Sequence, residues 1–463
     1  MSHDDDVRRR RFLRVGGATG VVGLTGLAGC TGGGGGEGEN TETDSGGADD
    51  TDTESGETGG SGGPDALVVI GYPEDGTQLF RDYYSVSDGT EDIVIPDGLR
   101  DGALPAQVGN DMANVIGTAP AAGGPAQEAF VSQFEAEYDE APGVFTSQSY
   151  DSVAVQLLAN AAAGENGGEA IRDQMRRVAN PGGLEVTPEN FVEGVEAAAN
   201  GDDVNYQGAS SSVNFNGAGD PATAAYAIWE FDGTDSQSTT TLETQSFEGD
   251  TPEGEGPSAD GGPGGLGREM DVGVLLPETG NLASVGQPMI QAARIPAKLV
   301  NGADVDLTVN AQIEDTETNP NAGTSAAERL VNAGIPSVCG TASSGVNVPV
   351  SQSVFIENGI VGCSPSSTAL SVTNLDDDDY IFRTAPSDLL QGRVIAQVVS
   401  DRLGDGSVST LYVNNDYGQQ LSERVAGVFG DQFGGEVYRQ VAFNQGESSY
   451  TSVVQDALAP QDG

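Results

Sequence analysis

The sequence predicts an α/β protein with parallel sheets in two folded regions, and three observations carry that prediction. Short apolar strands alternate with amphipathic helical segments from Asp65 to Gly233 and again from Met270 onward. Gly or Pro lies beyond the strand runs, as turn chemistry requires. Two stretches, 31–64 and 234–269, are Gly, Ser, Thr, Asp and Glu with few apolar residues, so they read as solvated linkers rather than domains.

In the first region ALVVIGY, DIVIPDGL and ANVIGTAPA are the strands, with GTQLFRDYY as a helix between the first two. Helical patterns follow at 124–138, 149–163 and 170–178, and AYAIWEFD (225–232) is a late strand ended by Gly233. In the second region strands are expected near 271–276, 305–313, 335–339, 359–363, 379–384, 408–413 and 436–442, with a last helix near 450–459. Pro296 sits inside the helical segment 288–300, where it should kink or shorten the helix at a cost of about 3 kcal/mol. Asp376 to Asp379 reads as a solvated turn before a strand, since a calcium loop needs spaced ligands and a Gly.

The run from Val338 to Gly345 joins a buried strand to a loop of small hydroxyl residues, and Pro349 lies in the first turn of the helix beyond. A helix start of this kind points amides and hydroxyls at one spot, which suits a carboxylate or phosphate. The alternative is an ordinary strand-to-helix turn with capping serines.

Acidic residues outnumber basic ones 71 to 19, a net charge of -52, and Lys298 is the only lysine. That balance excludes nucleic acid as a partner. Molar salt screens such self-repulsion, so regular apolar strands beneath so acidic a surface point to a protein of a halophile.

Residues 1–30 read as an export signal. Arg9-Arg10-Arg11-Phe12-Leu13 matches the twin-arginine pattern, and Val15 to Ala28 is an apolar, Gly-rich run too short to span a bilayer stably. Leu27-Ala28-Gly29-Cys30 resembles a lipobox, in which Cys30 takes the lipid and becomes the new N-terminus. Cleavage there removes His3, the single histidine, and with it triads and His-ligated metals. Cys339 and Cys363 remain, with no zinc spacing: two buried thiols, or a disulfide between them.

From 270 onward the segments DVGVLLPETGNLASVGQP, EDTETNPNAGTSAAERLVN, GTASSGV, GIVGCSPSSTA, YIFRTAPSD and YVNNDYGQQ resemble, in this order, the first part of the leucine/isoleucine/valine-binding proteins of ABC importers. These are type I periplasmic binding proteins, two doubly wound parallel-sheet lobes joined by a hinge. PDALVVIGYPEDGTQLFRDYY, IPDGL and EAFVSQFEAEYDEAPGVFTSQSYDSVAVQLLA resemble the remainder of the same family, yet precede the rest here. The chain therefore resembles a circularly permuted member of haloarchaeal type.

That resemblance implies a domain plan: signal 1–30, linker 31–64, second half of lobe 2 at 65–122, return into lobe 1 at 123–205, terminal strands near the hinge at 206–233, a linker joining the old termini at 234–269, lobe 1 at 270–385, and the first half of lobe 2 at 386–463. With right-handed βαβ connections, one sheet should run 436–442, 408–413, 66–71, 91–95, 112–117, and the other 305–313, 271–276, 335–339, 359–363, 379–384.

The site residues come from the same resemblance. Ser343 and Ser344 in GTASSG, and Ser367 and Thr368 in SPSSTA, match hydroxyls and amides that hold a ligand carboxylate. Asp97 in IPDGL matches the acid that grips the ammonium, where family members often have the longer Glu. Tyr417 and Tyr72 match aromatic residues that close over the ligand, and Ser284 lies in the ASVG segment that should wall the side-chain pocket.

The expected function is an extracellular, lipid-anchored receptor that takes a small amino acid of branched-chain type, or a related amide, and delivers it to an ABC permease, with no cofactor and no bond broken. A sensor without transport, a non-functional rearranged receptor, and an acid-based hydrolase using Glu314 and Asp315 are the alternatives, the last weakened by the missing histidine.

Overall fold

The computed structural model describes residues 62–248, 265–404 and 406–460. The export signal, Cys30 and the linker expected at 31–64 lie outside these residues, apart from the last three linker positions.

Fourteen strands are described: β1 (Ala66–Ile70), β2 (Asp92–Ile95), β3 (Val115–Pro120), β4 (Leu184–Val186), β5 (Val204–Tyr206), β6 (Thr223–Phe231), β7 (Thr239–Glu248), β8 (Arg268–Leu276), β9 (Leu307–Asp315), β10 (Ser337–Gly340), β11 (Val361–Ser364), β12 (Ile381–Arg383), β13 (Ser407–Val413) and β14 (Glu436–Phe443). They form a seven-stranded sheet in the order β14-β13-β1-β2-β3-β6-β7, a five-stranded sheet β12-β11-β10-β8-β9, and a small β4-β5 pair. The five-stranded sheet has the expected order, and the first five strands of the larger sheet do as well.

The junction expected between distant parts of the chain is a hydrogen-bonded ladder. Ala66 to Ile70 pairs in parallel with Val408 to Tyr412, and Asp65 locks the start by accepting from the Ser407 amide (3.1 Å) and hydroxyl (2.8 Å). Gly62 lies against Pro460, just past the last helix, Thr451–Ala457. β1 is buried along its whole length, as a central strand covered on both faces must be.

Two expectations need correction. The linker drawn at 234–269 contains β7, which pairs antiparallel with β6 from Phe231↔Thr239 to Thr223↔Glu248. Its TTTLETQSFE sequence is polar, but the β-branched threonines suit a solvated edge strand, and Leu242 stays exposed there. β6 is the late strand expected at 225–232, here an antiparallel member of the seven-stranded sheet beside β3. Pro296 does not end its helix, which runs from Ala283 to Gly302 through both Pro288 and Pro296. Met289, Ala292, Ala293, Ile295, Ala297 and Val300 bury one face of that helix, and this packing outweighs the lost backbone bond.

Cys339 and Cys363 are both free and buried, side by side in register on β10 and β11, and burial pushes the Cys339 thiol up to about 12. In the acidic turn, Asp377 accepts from the amides of Asp379 and Ile381, each at 3.1 Å, so it caps the entry to β12. Asp315 accepts from the Thr279 hydroxyl (2.6 Å) and the Glu317 amide (2.8 Å), while Glu314 pairs with Arg329 at 2.7 Å. Both acids offered to the hydrolase reading are thereby engaged in structural contacts.

Candidate functional site

Parallel α/β sheets place their loops at the carboxyl ends of the strands, and a cavity of about 20 Å³ lies where the loops of the two sheets meet. The five-stranded lobe contributes Leu282 and Val285 after β8, Ala342, Ser343 and Ser344 after β10, and Ser366 after β11. The seven-stranded side contributes Tyr72 after β1, Asp97 and Gly98 after β2, and Tyr417 after β13. Phe145, just ahead of the helix Thr146–Ala163, completes the lining.

Each of these side chains is aimed by its local sequence. Tyr72 directly precedes Pro73, which opens the helix Pro73–Val86, so its extended backbone (φ -121, ψ 157) throws the ring across the gap. Its hydroxyl bonds the Ser343 hydroxyl at 2.8 Å and accepts from the Asn415 amide group at 3.0 Å. Burial pushes the Tyr72 phenol up to about 12, so it remains a neutral hydroxyl at any ordinary pH. Tyr417 stacks on Tyr72 with ring centroids 5.9 Å apart and planes 14° apart. Asn415 caps the Tyr417 helix by accepting from the Gly418 amide at 3.0 Å, which fixes where that ring starts.

Asp97 sits in a single helical turn after Pro96 and is 3% exposed. Its Oδ1 accepts from Gln391 Nε2 at 2.5 Å, and its Oδ2 is 3.5 Å from the Tyr417 hydroxyl. Burial raises the carboxyl to about 6, against which those hydrogen bonds pull only part of the way back. Near pH 7 it is therefore a largely ionised acid with little solvation, which is what a cation or strong donor seeks.

On the opposite wall the Ser343 carbonyl accepts from the amides of Val346 (3.0 Å) and Asn347 (2.8 Å), closing the first turn of the helix Ser344–Val350. The first amides of that helix are those a helix start leaves without intrahelical partners. Ser344 braces the neighbouring loop by accepting from the Ala369 amide at 3.2 Å.

Five of the eight residues picked from the sequence, Tyr72, Asp97, Ser343, Ser344 and Tyr417, line the cavity, and three do not. Ser284 is exposed: successive helical positions turn by about 100°, so Leu282 and Val285 share the inner face and Ser284 points away. Ser367 is buried behind the wall, its hydroxyl donating to the carbonyls of Thr341 (2.9 Å) and Ala342 (3.0 Å), where it braces the Ser343 loop. Thr368 is buried, its hydroxyl without a hydrogen-bond partner among the described residues. Ser366, one position earlier, is the lining residue of that motif, and its hydroxyl donates to Ala342 O at 3.1 Å. Leu282, Val285, Ser366 and Phe145 all lie inside the family-like segments without having been singled out there, and Phe145 takes a left-handed φ of 61 shortly after Pro142-Gly143.

Residues 269–461 match the family model described as periplasmic binding protein. Leu/Ile/Val-binding protein homolog 3 of Brucella melitensis is 31% identical over 157 residues, covering 34% of this chain and 42% of the relative. Leu/Ile/Val-binding protein BraC3 of Rhizobium johnstonii is 30% identical over 196 residues, covering 42% of this chain and 48% of the relative. Among solved structures, the branched-chain amino acid substrate-binding protein LivJ of Streptococcus pneumoniae, in complex with isoleucine, aligns at 24% identity and a TM-score of 0.36, over 41% of this chain and 53% of that one. The chain thus spans about half the length of the curated relatives it matches. Over roughly two fifths of its length the chain is thus similar to periplasmic binding proteins, among them relatives named for binding leucine, isoleucine and valine.

Proposed function

We propose that this chain is a lipid-anchored, extracellular receptor of an ABC importer that encloses a small amino acid of branched-chain type, or a related amide, between its lobes. The observation that carries the reading is the facing of Asp97 on one wall and the Ser343–Ser344 helix start on the other, across a cavity lined by Leu282, Val285, Phe145 and the Tyr72–Tyr417 pair. A buried acid suits an α-ammonium, a helix start suits an α-carboxylate, and apolar walls suit an aliphatic side chain. The names of the matching relatives, Leu/Ile/Val-binding, favour the same ligand class.

At about 20 Å³ the cavity holds little more than one water, so a ligand enters as the lobes part and the Tyr72–Ser343 and Asn281–Asp75 (2.9 Å) contacts open. The ligand then favours the closed form to the extent that it binds that form better. We further read the chain as a circular permutation: the β13–β1 ladder makes one sheet from segments whose family-like order is reversed in sequence.

Calorimetric titration of leucine, isoleucine, valine, their amides and urea against the full chain in molar KCl tests this. Binding of an amino acid, weakened at least tenfold by Asp97→Asn and less by Ser343→Ala, is the expected result, because loss of a buried charged partner typically costs about 2–5 kcal/mol against about 1 kcal/mol for a neutral hydroxyl. Equal binding by Asp97→Asn would remove the ammonium assignment. For the anchor, Cys30→Ser with the twin-arginine segment intact should release the protein from the membrane; unchanged membrane fractionation would refute a lipid on Cys30.

A further inference from the structure

Behind Asp97, away from the cavity, four buried polar atoms stand without hydrogen-bond partners among the described residues: both carboxylate oxygens of Asp388, Oε1 of Gln391 and the hydroxyl of Thr368. All three residues are at most 1% exposed. Asp388 and Gln391 lie one turn apart on the helix Asp388–Gln397, and Gln391 holds Asp97 through its Nε2. The Asp388 backbone amide is fixed on the Thr368 carbonyl at 2.8 Å, so the acid cannot swing to solvent without unwinding its helix start. A buried carboxylate with neither oxygen bonded is far costlier ionised than protonated.

We propose that Asp388 is a positioning residue of the amino-acid site: it stores a proton behind Asp97, and it gives that proton to solvent when a ligand's ammonium seats on Asp97. This rests on the amino-acid reading above.

The groups around Asp388 fit that role. Asp97, at the turn after β2, is the nearest competing negative charge, and Tyr417 and Tyr226 are neutral phenols within its electrostatic reach. The Tyr226 hydroxyl donates to the Ser387 carbonyl at 2.9 Å and so fixes the residue before Asp388. Arg383, at the end of β12, is the one cation acting on Asp388, but its guanidinium is held by Asp220 through Nε (2.5 Å) and Nη2 (2.8 Å). The Thr368 hydroxyl is close enough to favour the ionised form a little without reaching hydrogen-bonding geometry. Burial, and then the charge of Asp97, push the Asp388 carboxyl up to about 8. An ammonium on Asp97 cancels the second of these causes. The Asp388 carboxyl then falls from about 8, and at pH 7.5 part of its proton is released with each ligand bound. A ligand lacking the cation, such as N-acetyl-leucine, leaves the Asp97 charge uncancelled and releases none.

The test is calorimetry of L-leucine, L-isoleucine and L-valine with the full chain in molar KCl at pH 7.5, in phosphate and in Tris, whose ionisation enthalpies differ widely. Expected are binding heats that differ between the buffers in the sense of net proton release, and no buffer dependence in Asp388→Asn, whose amide cannot titrate. A merely structural Asp388 would change affinity without changing the proton count. Amino-acid binding by the wild type with identical heats in the two buffers overturns this proposal and leaves the receptor reading standing. Failure of all three amino acids to bind overturns both.

Discussion

Arg383 and Asp220 offer the strongest single perturbation. Arg383 is fully buried at the end of β12 in the five-stranded sheet, and Asp220 lies in the segment just ahead of β6, whose Gly219 carbonyl accepts from the Arg383 amide at 3.0 Å, so the bidentate pair pins that segment to β12. The guanidinium also donates to the carbonyls of Ser367 and Ala369, each at 3.1 Å, and to the Thr373 hydroxyl, which itself donates to Asp220 at 2.9 Å. Asp220→Ala leaves a buried guanidinium without its counter-charge and a hydroxyl without its acceptor. Breaking one side of a buried ion pair typically costs about 3–5 kcal/mol, and this pair belongs at the upper end because none of the cation reaches water. Urea unfolding in molar KCl reads this as a shift of midpoint at unchanged slope, with Asp220→Asn losing less because the amide oxygen still accepts. A loss below about 1 kcal/mol for Asp220→Ala would show that water or a neighbouring acid compensates, and the reasoning would fail.

Stability should also depend on salt and on pH. Lowering KCl from molar to tens of millimolar restores repulsion in a chain of net charge -52, so far-UV dichroism should report expansion or unfolding, and an unchanged spectrum would contradict this. The Asp388 carboxyl is raised to about 8 in the fold, against about 3.9 in an unfolded chain, so the folded state holds the extra proton between these values. That contribution is complete below the unfolded value and is lost as pH rises through about 8. Asp388→Asn should therefore be the more stable form at pH 8, by up to on the order of 5 kcal/mol, with the gap narrowing toward pH 5; parallel curves for the two proteins between pH 5 and 8.5 would refute it.

Much of the fold was legible because parallel α/β chains mark their central strands with continuous apolar runs, and ALVVI, DIVI and SVCG are buried along all or nearly all of their length. The adjacency of β1 and β13 followed from the family resemblance together with the rule that consecutive strands of a βαβ unit usually lie side by side. β7 was illegible for the opposite reason: TTTLETQSFE has a strand's residues but a linker's polarity, and an edge strand exposes most of what it has. At the site, Tyr72, Asp97 and Tyr417 were picked through the family resemblance, and in the structure a local feature holds each: a proline after Tyr72, one before Asp97, and the capping Asn415 ahead of Tyr417. Helical phase decided against Ser284, and strand-end geometry exchanged Ser367 for Ser366. Asp388 hid in plain view, because an acid following Ser387 at a helix start reads as an ordinary first-turn carboxylate until burial shows that its oxygens have no partner.

The central claim, an amino acid clasped between the two walls, is tested most directly by a crystal structure of the full chain grown in molar KCl with L-leucine. The account predicts the ammonium within about 3 Å of an Asp97 oxygen, the carboxylate on the Ser343–Ser344 helix start, and the aliphatic chain against Leu282, Val285 and Phe145. Leucine bound outside that cavity, or seated with its carboxylate toward Asp97, would contradict it.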